Sequence, residues 1–449
     1  MTPTQPTQPT RRTLPRALTP FANGQYRILA VALTMSLFGS GVWLVALVWQ
    51  IIALGGSPIE LSLVATGSAV GMILAVLFGG VLADRIPQKR ILLAVEGAKV
   101  LVVAGVAALA LMGTLEVWHL VIAATILGVG EGFFYPAYSA LLPSVLAADD
   151  LLAANGVEGV LRPTVMQALG PAIASAAIAV ASPALAFVIV AAAQVFAVAG
   201  LFFLHTTPVR RELGEPTHPL KAFFGDIAGG FTYMFKTPWL LATLLYACLF
   251  VLVVIGPIEV LLPFAVKDQT GGGAGAYAIV LAAFGIGGAV GSIVVASLKL
   301  PRRYLTVLNL LWGAGCIPLL VIGFTDQLWV MAAVVFITGF GFSAATVIWG
   351  TLLQRRVPAA LLGRVSSLDF FVSLALMPIS MALAGPVGVA IGIPVTFVVA
   401  GVVPTILAVA AILIARMPKD EIENPLDAAQ REIDPSSQEI LGPGTPIQG

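Results

Sequence analysis

Twelve apolar stretches, separated by short polar breaks, restrict this 449-residue chain to one class of fold. They fall at 27–54, 61–82, 91–112, 117–141, 155–180, 183–204, 239–266, 275–298, 304–323, 328–352, 364–390 and 393–416. A bilayer's hydrocarbon core, about 30 Å thick, is crossed by a helix of about 20 apolar residues. Only a helix or a closed barrel satisfies its own backbone groups there, and runs this long belong to helices. A soluble fold is excluded because 59% of the residues are hydrophobic and 10% charged, with a mean hydropathy of +1.01, which leaves too little polar surface to cover a core. The sequence therefore predicts an all-α integral membrane protein with twelve transmembrane helices in two six-helix halves.

The longest internal polar segment, 205–238, divides six spans from six. The expected organisation is a disordered Pro- and Thr-rich tail (1–26), an N-terminal six-helix bundle (27–204), a linker (205–238), a C-terminal bundle (239–416) and a second tail (417–449). If the amino terminus is cytoplasmic, all but three of the 23 Lys and Arg residues fall in cytoplasmic segments. The exceptions are Lys267 outside and Lys99 and Arg162 within spans, so the positive-inside rule places both termini and the linker in the cytoplasm. A net charge of +1 gives no basis for a nucleic-acid partner. Cys248 and Cys316 lie in apolar runs far apart and read as packed thiols, with no metal site and no cofactor expected.

Between the second and third spans stands GGVLADRIPQKR (79–90), a dense set of charges between two apolar runs. Its Gly80, Asp84, Arg85, Lys89 and Arg90 resemble the loop signature of the major facilitator superfamily of transporters. That resemblance implies a gating role for these five residues. The halves also echo each other: GSAVG at 67–71 recurs as GGAVG at 287–291, and KRIL at 89–92 as RRYL at 302–305. This is the pattern of a parallel internal repeat. PAYSALLP (136–143), ALGPAI (168–173), EVLLPFAVKD (259–268) and LLGRVSSLD (361–369) are similar to the drug and siderophore exporter branch, that of macrolide efflux, Tap-type and enterobactin-exporter-like proteins. The resemblance covers nearly the whole chain. It implies export of amphipathic small molecules across a bacterial inner membrane, generally driven by protons.

An ionisable group near the bilayer centre costs at least ~2.5–3.5 kcal/mol, so each one calls for a partner or a function. Glu131 lies near the middle of the fourth span with no cation within two turns of its own helix, and is the proton-coupling candidate. With Tyr135 and Tyr138 it forms an i, i+4, i+7 stripe, which places acid and phenols on one helix face. Glu158 and Arg162 (i, i+4) and Glu96 and Lys99 (i, i+3) read as local structural ion pairs, and Glu259 and Asp369 as weaker candidates. The resemblance implies that spans one, four, seven and ten line a central cavity. On that expectation Trp43 and Gln50, Tyr246 and Phe250, and Phe342 and Trp349 join Tyr135 and Tyr138 as cavity candidates, suited to a large, mostly apolar guest.

Three functions compete. The first is a secondary exporter, with a small-molecule substrate, protons and the lipid bilayer as its partners, working as a monomer. An uptake permease of the same fold is the alternative. A membrane enzyme or ATP-driven pump finds no support, since no GxxxxGK[ST] loop, HExxH or paired CxxC occurs.

Overall fold

The computed structural model describes residues 16–205 and 231–426, and within them no strand occurs. Among the described residues, twelve helices are long and apolar enough to cross a membrane. They are α1 (Gly24–Ala53), α2 (Pro58–Arg85), α3 (Gln88–Leu111), α4 (Val117–Val145), α5 (148–180), α6 (Pro183–Phe202), α7 (238–270), α8 (Ala274–Ser297), α9 (304–321), α10 (Leu328–Arg356), α11 (359–391) and α12 (Ile393–Ile414). Residues 1–15, most of the expected linker (206–230) and 427–449 lie outside the described residues.

Local chemistry sets the helix ends. Asn23 caps α1 by accepting from the Gln25 and Tyr26 amides, and Ser57 with Glu60 closes a capping box ahead of Pro58 on α2. Two spans contain a π-helical turn, Arg162–Leu169 in α5 and Pro257–Leu261 in α7. Each is followed within two residues by a proline, Pro171 or Pro263. A proline ring clashes with the carbonyl four residues before it, and a widened turn makes room without ending the helix. In α9 Pro318 instead ends the α-helix, which finishes as the 3-10 turn Ile317–Val321.

The sequence repeat is a structural repeat. Gly71 and Gly128 let α2 and α4 approach backbone to backbone, a Cβ at either being blocked by Thr125 or Ser68. In the second half Gly287 and Gly291 of α8 bear on Phe336 and Phe340 of α10 in the same way. Small residues at such crossings replace the hydrophobic driving force that lipid does not supply.

The carboxy-terminal segment departs from expectation. Residues expected to begin a tail at 417 form a short helix, α13 (Met417–Glu423), docked on the C-terminal half. Met417 is fully buried, Glu421 accepts from the Thr306 amide (2.7 Å) and hydroxyl (3.1 Å), and Asp420 pairs with Arg356. The segment is charged, so it reads as solvated, yet its carboxylates find fixed donors at the ends of α9 and α10.

The two halves meet at the end of the bundle opposite the termini. Ser62 makes two hydrogen bonds between the halves: its hydroxyl donates to the Met381 carbonyl and accepts from the Gly385 amide (2.9 Å). Trp49 of α1 stacks on Tyr277 of α8 at 5.7 Å, and Gly285 of α8 receives Gln167 of α5. At the termini end each half is also fastened within itself. Asn23 donates to the Val145 carbonyl (2.7 Å) in one half, and Tyr233 donates to that of Arg356 (3.4 Å) in the other. The described contacts between the halves thus concentrate at the end opposite the termini. Gly385 abuts the Pro58 carbonyl, so Gly385→Val is expected to force α2 from α11. On a cysteine-free background, spin labels at Leu54 and Gly273 should then report a longer distance than in the parent.

Candidate functional site

The site begins with two acids and one lysine at matching depth on adjacent helices. Glu96 and Lys99, one turn apart on α3, face inward; Glu96 is 0% and Lys99 3% exposed. Lys99 Nζ lies 3.2 Å from Glu96 Oε1 and 2.7 Å from Glu131 Oε1 on α4. Glu96 Oε1 also accepts from the Ser36 hydroxyl of α1 at 2.7 Å. The Phe134 ring lies 5.1 Å from the ammonium and shields it. Glu131 is therefore not the unpaired carboxylate that its own helix suggests, and Glu96–Lys99 is not merely a local pair. A lysine one helix away bridges both acids and ties α1, α3 and α4 together.

With all three ionised the group carries one excess negative charge in a span, where charge is costly. One proton makes it neutral. Glu131 is the member with access: its side chain is 48% exposed, and the Arg162 charge of α5 acts on it. Arg162 is held by Glu158 (Nη2–Oε1 2.9 Å, Nε–Oε1 3.1 Å) and lies over the Tyr135 ring at 5.9 Å. Glu131, exposed Tyr135 and Arg162 thus share one wall of the space between α4 and α5. Tyr138 turns away, buried and stacked on Phe134 at 6.1 Å.

The facing half is aromatic. Tyr246 and Phe250 of α7, Trp312 of α9 and Phe342 and Trp349 of α10 form one chain of ring contacts with centroids 6.0–6.5 Å apart, which Trp239 extends. Tyr246, Phe250 and Trp349 are buried in this cluster, and Phe342 is the exposed ring. The Trp349 indole donates to Asp369 Oδ2 at 3.0 Å, and the Ser373 hydroxyl to Oδ1 at 3.2 Å. Tyr246 Oη and Trp312 Nε1 have no hydrogen-bond partner among the described residues. In the first half, Trp43 packs on Phe187 of α6 (5.3 Å) and Gln50 is buried.

Of the loop signature, the side chains of Gly80, Asp84 and Arg85 lie outside the described set. Lys89 donates to the carbonyls of Phe202 (2.9 Å) and Leu204 at the end of α6, as a cation at a helix C-terminus does, and Arg90 is exposed. Among the described residues no group of three or more His, Cys, Asp or Glu side chains is placed to hold a metal.

Sequence reasoning passed over Trp239, Trp312 and Ser62. Depth offered a signal for the buried group: Lys99 and Glu131 stand 11 and 14 residues from the same ends of α3 and α4, so neighbouring antiparallel helices bring them level.

Comparison with known proteins completes the description. Residues 16–441 match the family described as transmembrane secretion effector. The chain is 28% identical over 404 residues to the multidrug efflux pump Tap of Mycolicibacterium fortuitum, covering 87% of this chain and 95% of that protein. It is 26% identical over 349 residues to the enterobactin exporter EntS of Escherichia coli O1:K1, covering 76% and 80%. Among solved structures, that of the nucleoside transporter NupG superposes with a TM-score of 0.68 at 12% identity, over 87% of this chain and 99% of that one.

Proposed function

Because this chain belongs to the transmembrane secretion effector family of major facilitator superfamily transporters, we propose that it exports amphipathic small molecules across a bacterial inner membrane in exchange for protons. Both termini lie in the cytoplasm on this reading, in keeping with the distribution of Lys and Arg. The end opposite the Ser62 contacts then faces the cytoplasm, the side from which an exporter loads its guest. Relatives named as a multidrug pump and a siderophore exporter support the direction.

The observation that carries the coupling is the Glu96–Lys99–Glu131 group: set within the spans, one proton short of neutrality, and exposed only at Glu131, on the side of α4 that faces Arg162 of α5. A proton on Glu131 and a cationic guest beside it neutralise the same charge, so each disfavours the other. That competition is what exchange requires. The exposed Phe342 and Tyr135 offer rings to a flat, apolar or cationic guest.

Everted membrane vesicles test this reading with ethidium as the probe. Energised vesicles carrying the protein are expected to accumulate ethidium, and a protonophore to release it. Accumulation that survives the protonophore, or that occurs only in right-side-out vesicles, would contradict the proposal.

A further inference from the structure

Glu96 is more enclosed than its two partners, and half of its carboxyl group is unused. Oε1 takes the Ser36 hydroxyl and the Lys99 ammonium, whereas Oε2 is buried with no hydrogen-bond partner among the described residues. An ionised oxygen buried without a donor is among the costliest arrangements a protein can hold, and a hydroxyl in its place costs far less. Lys99 also sits closer to Glu131 than to Glu96, and Glu131 has the exposed side chain. The better solvated and better paired carboxyl keeps the negative charge.

We propose that Glu96 is a second proton-binding residue, holding a proton on Oε2 while Lys99 pairs with Glu131, and passing it to Glu131 through Lys99. This rests on the proton-driven reading above. The step balances. After a half-turn of the Glu96 carboxyl, the Lys99 ammonium gives one proton to Glu131 and takes the one from Glu96. One O–H bond breaks on Glu96, one forms on Glu131, the nitrogen ends as it began, and the net charge of the three stays at zero. Lys99 then pairs with Glu96, and the proton on Glu131 is free to leave from the exposed side.

The groups facing Glu96 are few. They are Lys99 of its own helix, Glu131 of α4 and the Ser36 hydroxyl of α1; beyond Glu131 lies Arg162 of α5 with Glu158. From α6, Gln194 packs its amide against Gly39, one turn along α1 from Ser36, and its Oε1 is likewise buried without a partner.

Infrared difference spectroscopy of the purified full chain in nanodiscs, with and without ethidium, tests the assignment. Wild-type protein is expected to show a protonated-carboxyl component that Glu96→Gln abolishes. Glu131→Gln should abolish it too, since Lys99 then has only Glu96 as its counter-charge. Ser36→Ala locates the proton: it removes the hydroxyl donated to the same carboxyl, so the component should remain and shift in frequency. A component unmoved by Ser36→Ala overturns the assignment, and this variant decides the matter even if Glu96→Gln does not fold. Proteoliposomes separate the two levels of the account. If wild type moves ethidium without protons, the proton-driven reading has failed. If wild type moves protons with ethidium and Glu96→Gln moves as many, only the role of Glu96 is lost.

Discussion

Glu131→Gln is expected to bind ethidium and to exchange it across a membrane, yet to lose all accumulation driven by a pH gradient. The substitution keeps the size and hydrogen-bonding capacity of the side chain while fixing it in a neutral form. Lys99 retains Glu96 as its partner at 3.2 Å, so α3 stays neutral and packed. What disappears is the exposed, titratable member of the group. Counterflow and gradient-driven uptake in the same vesicles give the check. Equal loss of both would make Glu131 part of guest binding, and full retention of both would make it structural.

Lys99→Met should have the largest effect on stability. It leaves two carboxyl groups on adjacent spans with no cation between them, the situation in which removal of one partner from a buried ion pair costs roughly 3–5 kcal/mol. Thermal unfolding in detergent should show a strongly destabilised protein with a poor folded yield. Charge accounts for this loss more than shape does. The triple variant Glu96→Gln, Lys99→Met, Glu131→Gln, which carries no charge at these positions, should therefore recover much of the stability while remaining unable to couple. Failure of the triple variant to recover would assign the loss to packing around Phe134.

The architecture was legible because the constraint that fixes it is local. A span is a run of neighbours in sequence, and GSAVG and GGAVG mark α2–α4 and α8–α10 because close helix crossings demand small residues in a row. The site was half legible. Glu131 stands out as a carboxylate in a span, but its partner lies 32 residues away on another helix, and no periodicity along α4 points to it. The aromatic stripes had a similar fate. Tyr246, Phe250 and Trp349 fall at spacings that suit a cavity wall, yet Trp312 enters from α9 and buries them in a cluster of their own. The π-turns of α5 and α7 show only as prolines beyond them. The docking of α13 depends on Arg356 and Thr306, which are distant in sequence.

Exchange of a guest for a proton is tested most directly by recording both at once. Purified protein is reconstituted with a pH-sensitive dye in the lumen, and an ethidium gradient is imposed with no pH gradient and with the membrane potential clamped. The account predicts that protons move against the ethidium flow, that this movement stops in Glu131→Gln, and that ethidium exchange continues there. Ethidium flow in the wild type with no change of lumenal pH would contradict it.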